Sequence, residues 1–186
     1  AGKFSKSKGI GVFGTDAQDT GISPDVWRFY MYYNRPEKSD ALFTWDDFQV
    51  KVNSELIGNL SNLINRTLIF VHRFYGGTVP EGEIDGTFWK KVRESEERIT
   101  NFLERAELKD ALKEIFALSS MGNKAFQDGE PWRTRKDEPK KAAALIANLT
   151  YLVKDLSILI EPFIPETAAK VQSFLQKPGM SWADLG

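Results

Sequence analysis

The feature that most constrains the fold is a run of apolar residues with helical spacing between residues 45 and 75. Apolar side chains occupy positions 48, 52, 56, 60, 63, 64, 68 and 71, the period of one helix face sustained over about seven or eight turns. The capping-box pattern Thr44-Trp45-Asp46-Asp47 begins it, and Gly76-Gly77 ends it. The spacing predicts one long helix. It places these polar residues together on the opposite, solvent-facing side: Glu55, Asn59, Asn62, Arg66 and Arg73.

The remaining segments predict a mostly α-helical chain. Helical spacing recurs at about 86–105, 107–128 and 138–160, and Pro165 is expected to begin a last helix to about 176. Ser23-Pro24-Asp25 is a helix-start pattern, with Ser23 as N-cap and Asp25 facing the helix dipole, and this helix should stop near residues 34–36. Residues 10–13 favour a short strand, and the Gly- and Asp-rich residues 14–22 favour a loop.

These elements predict an antiparallel helical bundle preceded by a small α/β segment. The polar stretch Asn34–Asp40 separates the two, so the expected domains are residues 1–43 and 44–186. The chain has no cysteine and one histidine, which excludes disulfides and thiolate metal sites, and no metal site is expected. No signal peptide and no membrane partner are expected either.

Charge is concentrated rather than spread. The net charge is −1, so no overall positive field attracts nucleic acid, and a polyanion must meet local patches. One patch is the opening segment Ala1–Gly9, with three lysines, two serines and no acidic residue; the other is the basic stretch 133–141. A lysine- and serine-rich loop at the start of a chain favours anion binding and suggests part of a larger protein. The alternative is a solvated tail.

A second set of candidates lies on and after the long helix. Asn62 and Arg66 are four residues apart, so they share one helix face. An amide and a planar guanidinium suit the edges of nucleic-acid bases. Trp132 follows Pro131 at a predicted helix break beside the basic stretch, where an indole can stack on a base. The alternatives are a solvated face for the first two residues and ordinary core packing for Trp132.

The opening segment carries a family resemblance. The sequence Lys3-Phe4-Ser5-Lys6-Ser7 resembles the KMSKS motif of class I aminoacyl-tRNA synthetases, with Phe4 in the methionine place. Further stretches resemble methionyl-tRNA synthetases, and the similarity covers nearly the whole chain: 9–14, 19–22, 25–30, 53–56, 62–66, 123–132 and 161–165. The resemblance implies the C-terminal part of a synthetase core, with the lysine loop, the stem-contact fold and the helical anticodon-binding domain.

For the loop, the resemblance implies that Lys6, assisted by Lys3, stabilises the pyrophosphate that leaves when methionine is activated. Ser5 and Ser7 would complete the ATP-binding loop. ATP with Mg would be the cofactors of the full-length ligase. None is expected to be bound by this chain alone, because it lacks a HIGH-type motif and a nucleotide-binding half. By itself the chain is expected to make no methionyl-adenylate.

For the helical domain, the resemblance implies recognition of the CAU anticodon of tRNA(Met) in the cytoplasm. Its anticodon residues would be Asn62, Arg66 and Trp132, supported by Asn123, Gln127 and Pro131. Gln127 stands where many bacterial relatives have aspartate. Residues Arg133, Arg135 and Lys136 would contact stem phosphates. Methionine and ATP would be partners only through the missing half. The alternatives are a leucyl, isoleucyl or valyl synthetase, or a non-catalytic helical interaction module.

Overall fold

The computed structural model describes residues 14–37 and 41–186, and these ranges form helices and no β-strand. The predicted helical bundle is confirmed. The α/β character expected of the first segment is not evident in the described part, and the expected strand at 10–13 lies outside it. The elements, in chain order, are α1 (Gly14–Asp19), α2 (Pro24–Tyr33), α3 (Trp45–Lys51), a π-helix (Val52–Ser61), α4 (Asn62–Tyr75), α5 (Gly86–Glu104), α6 (Leu108–Gly129), α7 (Pro131–Asp137), α8 (Pro139–Leu159), α9 (Pro165–Phe174) and a 3-10 turn (Trp182–Asp184).

Helix α1 corrects the loop predicted for residues 14–22. The glycines that suggested a loop, Gly14 and Gly21, stand at the start of the helix and after its end rather than inside it. Gly21 has φ +69°, a conformation that favours glycine and stops a helix. The Thr20 hydroxyl donates to the Ala17 carbonyl at 2.7 Å, so one of the last carbonyl groups of the helix has a hydrogen-bond partner. The prediction failed because it counted glycines without weighing their positions.

The long helix predicted for residues 45–75 exists as three consecutive segments rather than one. Thr44 caps it as predicted, since its hydroxyl accepts from the Asp47 amide at 3.1 Å. Gly76 ends it in the left-handed conformation, with φ +61°. Between these ends, α3 and α4 are α-helical, whereas residues 52–61 form a π-helix, in which hydrogen bonds span five residues. Short π-helical turns inside α-helices are frequent at functional sites.

The π-helix changes which side chains face solvent. On an ideal α-helix, Asn59 shares the exposed polar face with Asn62 and Arg66. In the structure Asn59 is only 9% exposed and its amide donates to the Phe116 carbonyl on α6 at 2.9 Å. The expected solvent position of Asn59 is therefore wrong, because the wider π-helical turns rotate it towards α6.

Helix α8 forms the centre of the bundle, in contact with α4, α6, α7 and α9. Its apolar side chains are almost wholly buried; each fully buried Leu or Ile contributes about 1.5–3 kcal/mol to stability. By length and composition α8 is the one described helix that could span a membrane, but 72% of that apolar window is buried in the bundle. Burial of this kind is typical of a core helix. Trp89 packs in the same core and is 4% exposed.

Helix α2 is tied to the end of the chain. Asp25 is buried and accepts from the Thr167 amide at 2.6 Å, so it caps the start of α9 rather than simply facing the dipole of its own helix. Arg28 donates to the Phe163 and Pro162 carbonyls, both at 2.8 Å. The expected N-cap Ser23 makes no side-chain capping bond. These contacts fix α2 against the bundle.

Candidate functional site

Four of the predicted recognition residues line one polar cleft between the long helix and α6. The cleft is open to solvent and has a volume of about 360 Å³, within the range of small-ligand pockets. Asn62 and Arg66 lie on one wall, in the first turns of α4, and Asn123 and Gln127 lie on the facing wall, in α6. The i, i+4 spacing on both helices places the pairs opposite each other.

The amides of the cleft form a connected network. The Asn62 Nδ2 atom donates to Asn123 Oδ1 at 3.0 Å. Asn123 Nδ2 in turn donates to the Asn59 carbonyl at 2.9 Å, and lies 3.2 Å from Asn59 Oδ1. Asn59 was expected on the solvent face, and its place beneath the cleft is visible only once the π-helix is known.

Arg66 forms the other end of the cleft. Its Nη2 atom donates to Gln127 Oε1 at 3.3 Å, and its guanidinium carbon lies 3.9 Å from the centroid of the Phe126 ring. Burial lowers the pKa of Arg66 below its ordinary value, yet an arginine remains charged at neutral pH. Arg66 is therefore a cation held in place by an aromatic face and one amide, with further N–H groups able to donate.

Trp132 completes the site by packing against Phe126. The two rings are nearly parallel, with centroids 6.1 Å apart and an angle of 27° between their planes. Phe126 is 3% exposed, whereas Trp132 is 38% exposed. A left-handed residue, Glu130 with φ +41°, reverses the chain before buried Pro131 begins α7. Trp132 therefore combines a fixed ring with accessible surface, which differs from the core role left open as an alternative.

Phe126 is a member of the candidate site that the sequence did not single out. It joins Arg66 and Trp132 by stacking against both. Its only sequence signal is adjacency to Gln127 on an apolar face, which any core residue of α6 shares. Pro131 is buried and begins α7, immediately before Trp132.

The three basic residues after Trp132 differ in their surroundings. Arg133 is exposed and pairs with Glu130 at 2.9 Å, and Lys136 is also exposed. Arg135 is half-buried, with its guanidinium carbon 4.1 Å from the Phe74 ring centroid. Arg133 and Lys136 therefore present their charges to solvent, whereas Arg135 packs on an aromatic ring. A role for all three in phosphate binding stays a prediction.

The predicted ATP-binding loop, with Lys3, Ser5, Lys6 and Ser7, lies outside the described residues. Within the described part of the chain, no group of three or more potential ligands could hold a metal ion. A larger groove of about 1090 Å³ lies between α4 and α9, but its surface is predominantly apolar and the polar network described above does not reach it. The candidate site is the smaller cleft with Trp132 beside it.

Comparison with protein families gives two matches. Residues 1–68 match the model of class I tRNA synthetases of the methionine type. Residues 76–185, more than half of the chain, match the model of the anticodon-binding domain of methionyl-tRNA ligase. Candidate residues are present in both matched regions, with Asn62 and Arg66 in the first and Asn123, Gln127 and Trp132 in the second.

Similar proteins include the methionine–tRNA ligase of Borrelia turicatae, 56% identical over 172 residues, which represent 92% of this chain and 24% of the relative. The methionine–tRNA ligase of Treponema denticola is 53% identical, over 93% of this chain and 23% of the relative. The chain thus spans about a quarter of the length of the curated relatives that it matches.

Among solved structures, the methionyl-tRNA synthetase of Mycobacterium tuberculosis bound by methionyl-adenylate superimposes with a TM-score of 0.89 at 25% identity. This match covers 99% of the chain and 38% of that structure. The apo form of the same enzyme gives a TM-score of 0.85 at 23% identity and covers 94% of this chain and 37% of that structure. The helical arrangement described above is therefore shared.

Proposed function

Because the chain belongs to the family of methionyl-tRNA ligase anticodon-binding domains, we propose that it recognises the CAU anticodon of tRNA(Met). The observation that carries the proposal is the convergence of Asn62 and Arg66 on one open cleft beside the exposed ring of Trp132. Single-stranded loop bases are recognised through stacking on aromatics and through hydrogen bonds to their exposed edges. This site offers both within one surface.

Each residue has a role suited to its chemistry. Trp132, supported from behind by Phe126, stacks on an anticodon base. Asn62 and Arg66 form hydrogen bonds to a base edge, since an amide and a guanidinium together offer an acceptor and several donors. Asn123 and Pro131 hold these groups in place, and Gln127, which accepts from Arg66, adds the donor of its NH2 group beside them.

Outside the cleft, Arg133 and Lys136, with Arg135 behind them, bind phosphates of the anticodon stem. Such contacts position the RNA without selecting its sequence. Affinity therefore depends on both regions, whereas base preference depends on the cleft.

The activity of the longer protein is a further part of the proposal. We propose that it is a cytoplasmic methionine–tRNA ligase using ATP with Mg, in which Lys6 and Lys3 stabilise the leaving pyrophosphate and Ser5 and Ser7 bind the nucleotide. In this scheme residues 1–43 serve the catalytic half and residues 44–186 bind the anticodon. The methionine-type family matches favour this assignment over a leucyl, isoleucyl or valyl enzyme.

The test is a fluorescence-anisotropy titration of the chain with a labelled tRNA(Met) anticodon stem-loop. Trp132→Ala is expected to weaken binding by about 5- to 100-fold, the loss of one base–aromatic stack of about 1–3 kcal/mol. Trp182→Ala is the matched control, since Trp182 is 37% exposed but lies on the 3-10 turn. It should leave the affinity unchanged.

Two results would overturn the proposal. Equal loss of affinity in both tryptophan variants would mean that Trp132 does not stack on RNA. Equal affinity of the unaltered chain for a leucine anticodon stem-loop would mean that the cleft does not distinguish methionine tRNA.

A further inference from the structure

The orientation of the cleft amides follows from elementary chemistry. The oxygen and nitrogen of an amide look alike to most structural methods, and are assigned from their partners. A backbone carbonyl oxygen can only accept a hydrogen bond. One terminal atom of the Asn123 side chain lies 2.9 Å from the Asn59 carbonyl and 3.4 Å from the Ser119 carbonyl. That atom must therefore be the NH2 nitrogen.

This assignment fixes the next amide in the network. With Nδ2 of Asn123 directed to the Asn59 carbonyl, Oδ1 of Asn123 faces Asn62, and the contact between them is 3.0 Å. An oxygen acceptor requires a donor, so Asn62 directs its Nδ2 atom to Asn123. The Asn62 Oδ1 atom is then left as an acceptor at the cleft.

The opposite end of the cleft is fixed by the same reasoning. A guanidinium has only donors, so the Gln127 atom 3.3 Å from Arg66 Nη2 is its oxygen. The Gln127 NH2 group and the remaining N–H groups of Arg66 are donors. The cleft therefore presents an acceptor at Asn62 and donors at Arg66 and Gln127.

Asn59 anchors the whole arrangement. Its Nδ2 atom donates to the Phe116 carbonyl at 2.9 Å and lies 2.8 Å from Ser120 Oγ, which directs its own Oδ1 towards Asn123. The side chain reaches α6 because the π-helix turns it inward. Asn59 thus offers Asn123 two acceptors, one from the backbone and one from the side chain.

We propose that Asn59 is a positioning residue which, through Asn123, fixes the amide of Asn62 with its oxygen towards the bound base. This inference rests on the proposed anticodon recognition. It assigns Asn123 an orienting role rather than direct contact with the base. It also predicts which base the cleft prefers.

The Watson–Crick edge of cytosine carries an amino donor followed by two acceptors, which matches the acceptor of Asn62 and the donors of Arg66 and Gln127. Uracil carries a carbonyl in place of the amino group, and this carbonyl would face the Asn62 oxygen. Two acceptors in contact leave both without a partner, and such a mismatch is costly. The fixed amide therefore selects cytosine over uracil at the first anticodon position.

The experiment measures a ratio of affinities. Two anticodon stem-loops that differ only in cytosine or uracil at the first anticodon position are titrated with the unaltered chain, Asn123→Leu and Asn59→Leu. The unaltered chain should prefer cytosine by about 10-fold or more, as expected for one unsatisfied buried polar contact. In Asn123→Leu the Asn62 amide can rotate by half a turn and exchange the positions of its oxygen and nitrogen. The ratio of affinities for the cytosine and uracil stem-loops should then approach one. In Asn59→Leu it should fall to an intermediate value, because the Asn59 carbonyl remains.

Asn65→Leu is the matched control. Asn65 is exposed on α4 and lines the apolar groove rather than the cleft, so this variant should keep the cytosine-to-uracil ratio. Thermal melting followed by circular dichroism establishes that each variant is folded.

A uniform loss of affinity for both stem-loops, with the ratio preserved in Asn123→Leu and Asn59→Leu, would overturn the inference and leave the two residues a structural role. Failure of the unaltered chain to bind either stem-loop would instead contradict the proposed function. In that case the side-chain NH2 signals of Asn62 in a ¹H–¹⁵N NMR spectrum still test whether Asn59 fixes the orientation of the Asn62 amide. The inference requires Asn59→Leu to shift them and Asn65→Leu to leave them in place, and unshifted signals in Asn59→Leu contradict it.

Discussion

Two helix contacts of this bundle bring polar side chains together, and they do so in opposite ways. The cleft between α4 and α6 uses neutral amides, in which Asn62 donates to Asn123 and Asn123 donates to the Asn59 carbonyl. The contact between α5 and α8 instead brings together two carboxyl groups, those of Glu96 and Asp155, which are 9% and 0% exposed. Neutral amides keep one orientation at any pH, whereas buried carboxyls must share protons. The first arrangement suits recognition, and the second makes stability depend on pH.

The proximity and burial of the two carboxyl groups change their pKa values. Burial, with the neighbouring charge of Asp155, raises the pKa of Glu96 to about 7. Burial also raises the pKa of Asp155, although Lys154 Nζ lies 2.9 Å from Asp155 Oδ1. In the unfolded chain Glu96 loses its proton near pH 4.5. As the pH rises from about 4.5 to about 7, the unfolded state releases this proton first, so the free energy of unfolding falls over that window.

The largest expected effect is on the free energy of unfolding, and it comes from replacing the carboxyl group of Glu96 by one that does not titrate. Glu96→Gln should raise the free energy of unfolding at pH 8 by roughly 2 kcal/mol, because an amide can donate to Asp155 without the cost of burying a second charge. The variant should also remove most of the fall in the free energy of unfolding between about pH 4.5 and about pH 7. Urea unfolding at a series of pH values measures both effects.

The control for this variant is Glu97→Gln, since Glu97 is the next residue on α5 and is exposed. It should leave the pH profile unchanged. Stem-loop affinity should be the same in both variants. A change in anticodon binding on Glu96→Gln would show that the two regions are coupled and would break the contrast between them.

A smaller effect is expected where the cleft meets the π-helix. A Cβ atom at Gly58 would lie 2.9 Å from the Asn53 carbonyl oxygen, and a backbone atom cannot easily move away. Gly58→Ala should therefore destabilise the chain by about 1 kcal/mol and reduce stem-loop affinity several-fold, because Gly58 lines the cleft about one turn before Asn62. Thermal melting and anisotropy measure the two effects.

Gly86→Ala provides the comparison for this substitution. A Cβ atom at Gly86, in the first turn of α5, would meet no atom within 4 Å. Alanine there should be neutral or stabilising by up to about 1 kcal/mol. Equal behaviour of the two alanine variants would contradict a tightly constrained π-helix.

The smallest effect concerns charge rather than shape. Arg133→Ala should weaken stem-loop binding by about two- to five-fold at low salt and reduce the slope of log affinity against log salt by about 0.7–0.9, as expected for one phosphate contact. The preference for the anticodon base should not change. Lys177→Ala, another exposed basic residue, should alter neither quantity, and a loss of base preference in Arg133→Ala would contradict the division between positioning and recognition.

Much of the fold could be predicted because its signals are local. Apolar spacing located α5, α6 and α8 to within a few residues, and Thr44 and Gly76 mark helix ends by chemistry that does not depend on distant contacts. The position of Asn62 and Arg66 on one helix face also followed from their spacing within one helix. These features depend on residues near each other in the chain.

The features that could not be predicted depend on distant partners. The π-helix has no reliable sequence signal, and so the inward turn of Asn59 towards α6 was missed. Asp25 caps a helix that begins 140 residues later, at Pro165. Phe126 links Arg66 to Trp132 across three helices. Each of these contacts joins elements whose proximity only the folded structure reveals.

The most direct test of the central claim compares four anticodon stem-loops that differ only in the first anticodon base, titrated with the unaltered chain. Cytosine should bind most tightly, and adenine should follow because it also presents an amino donor beside an acceptor. Uracil and guanine should bind most weakly, by about 10-fold or more relative to cytosine. Equal affinities for cytosine and uracil would contradict the account that the amide and guanidinium groups of this cleft recognise the anticodon.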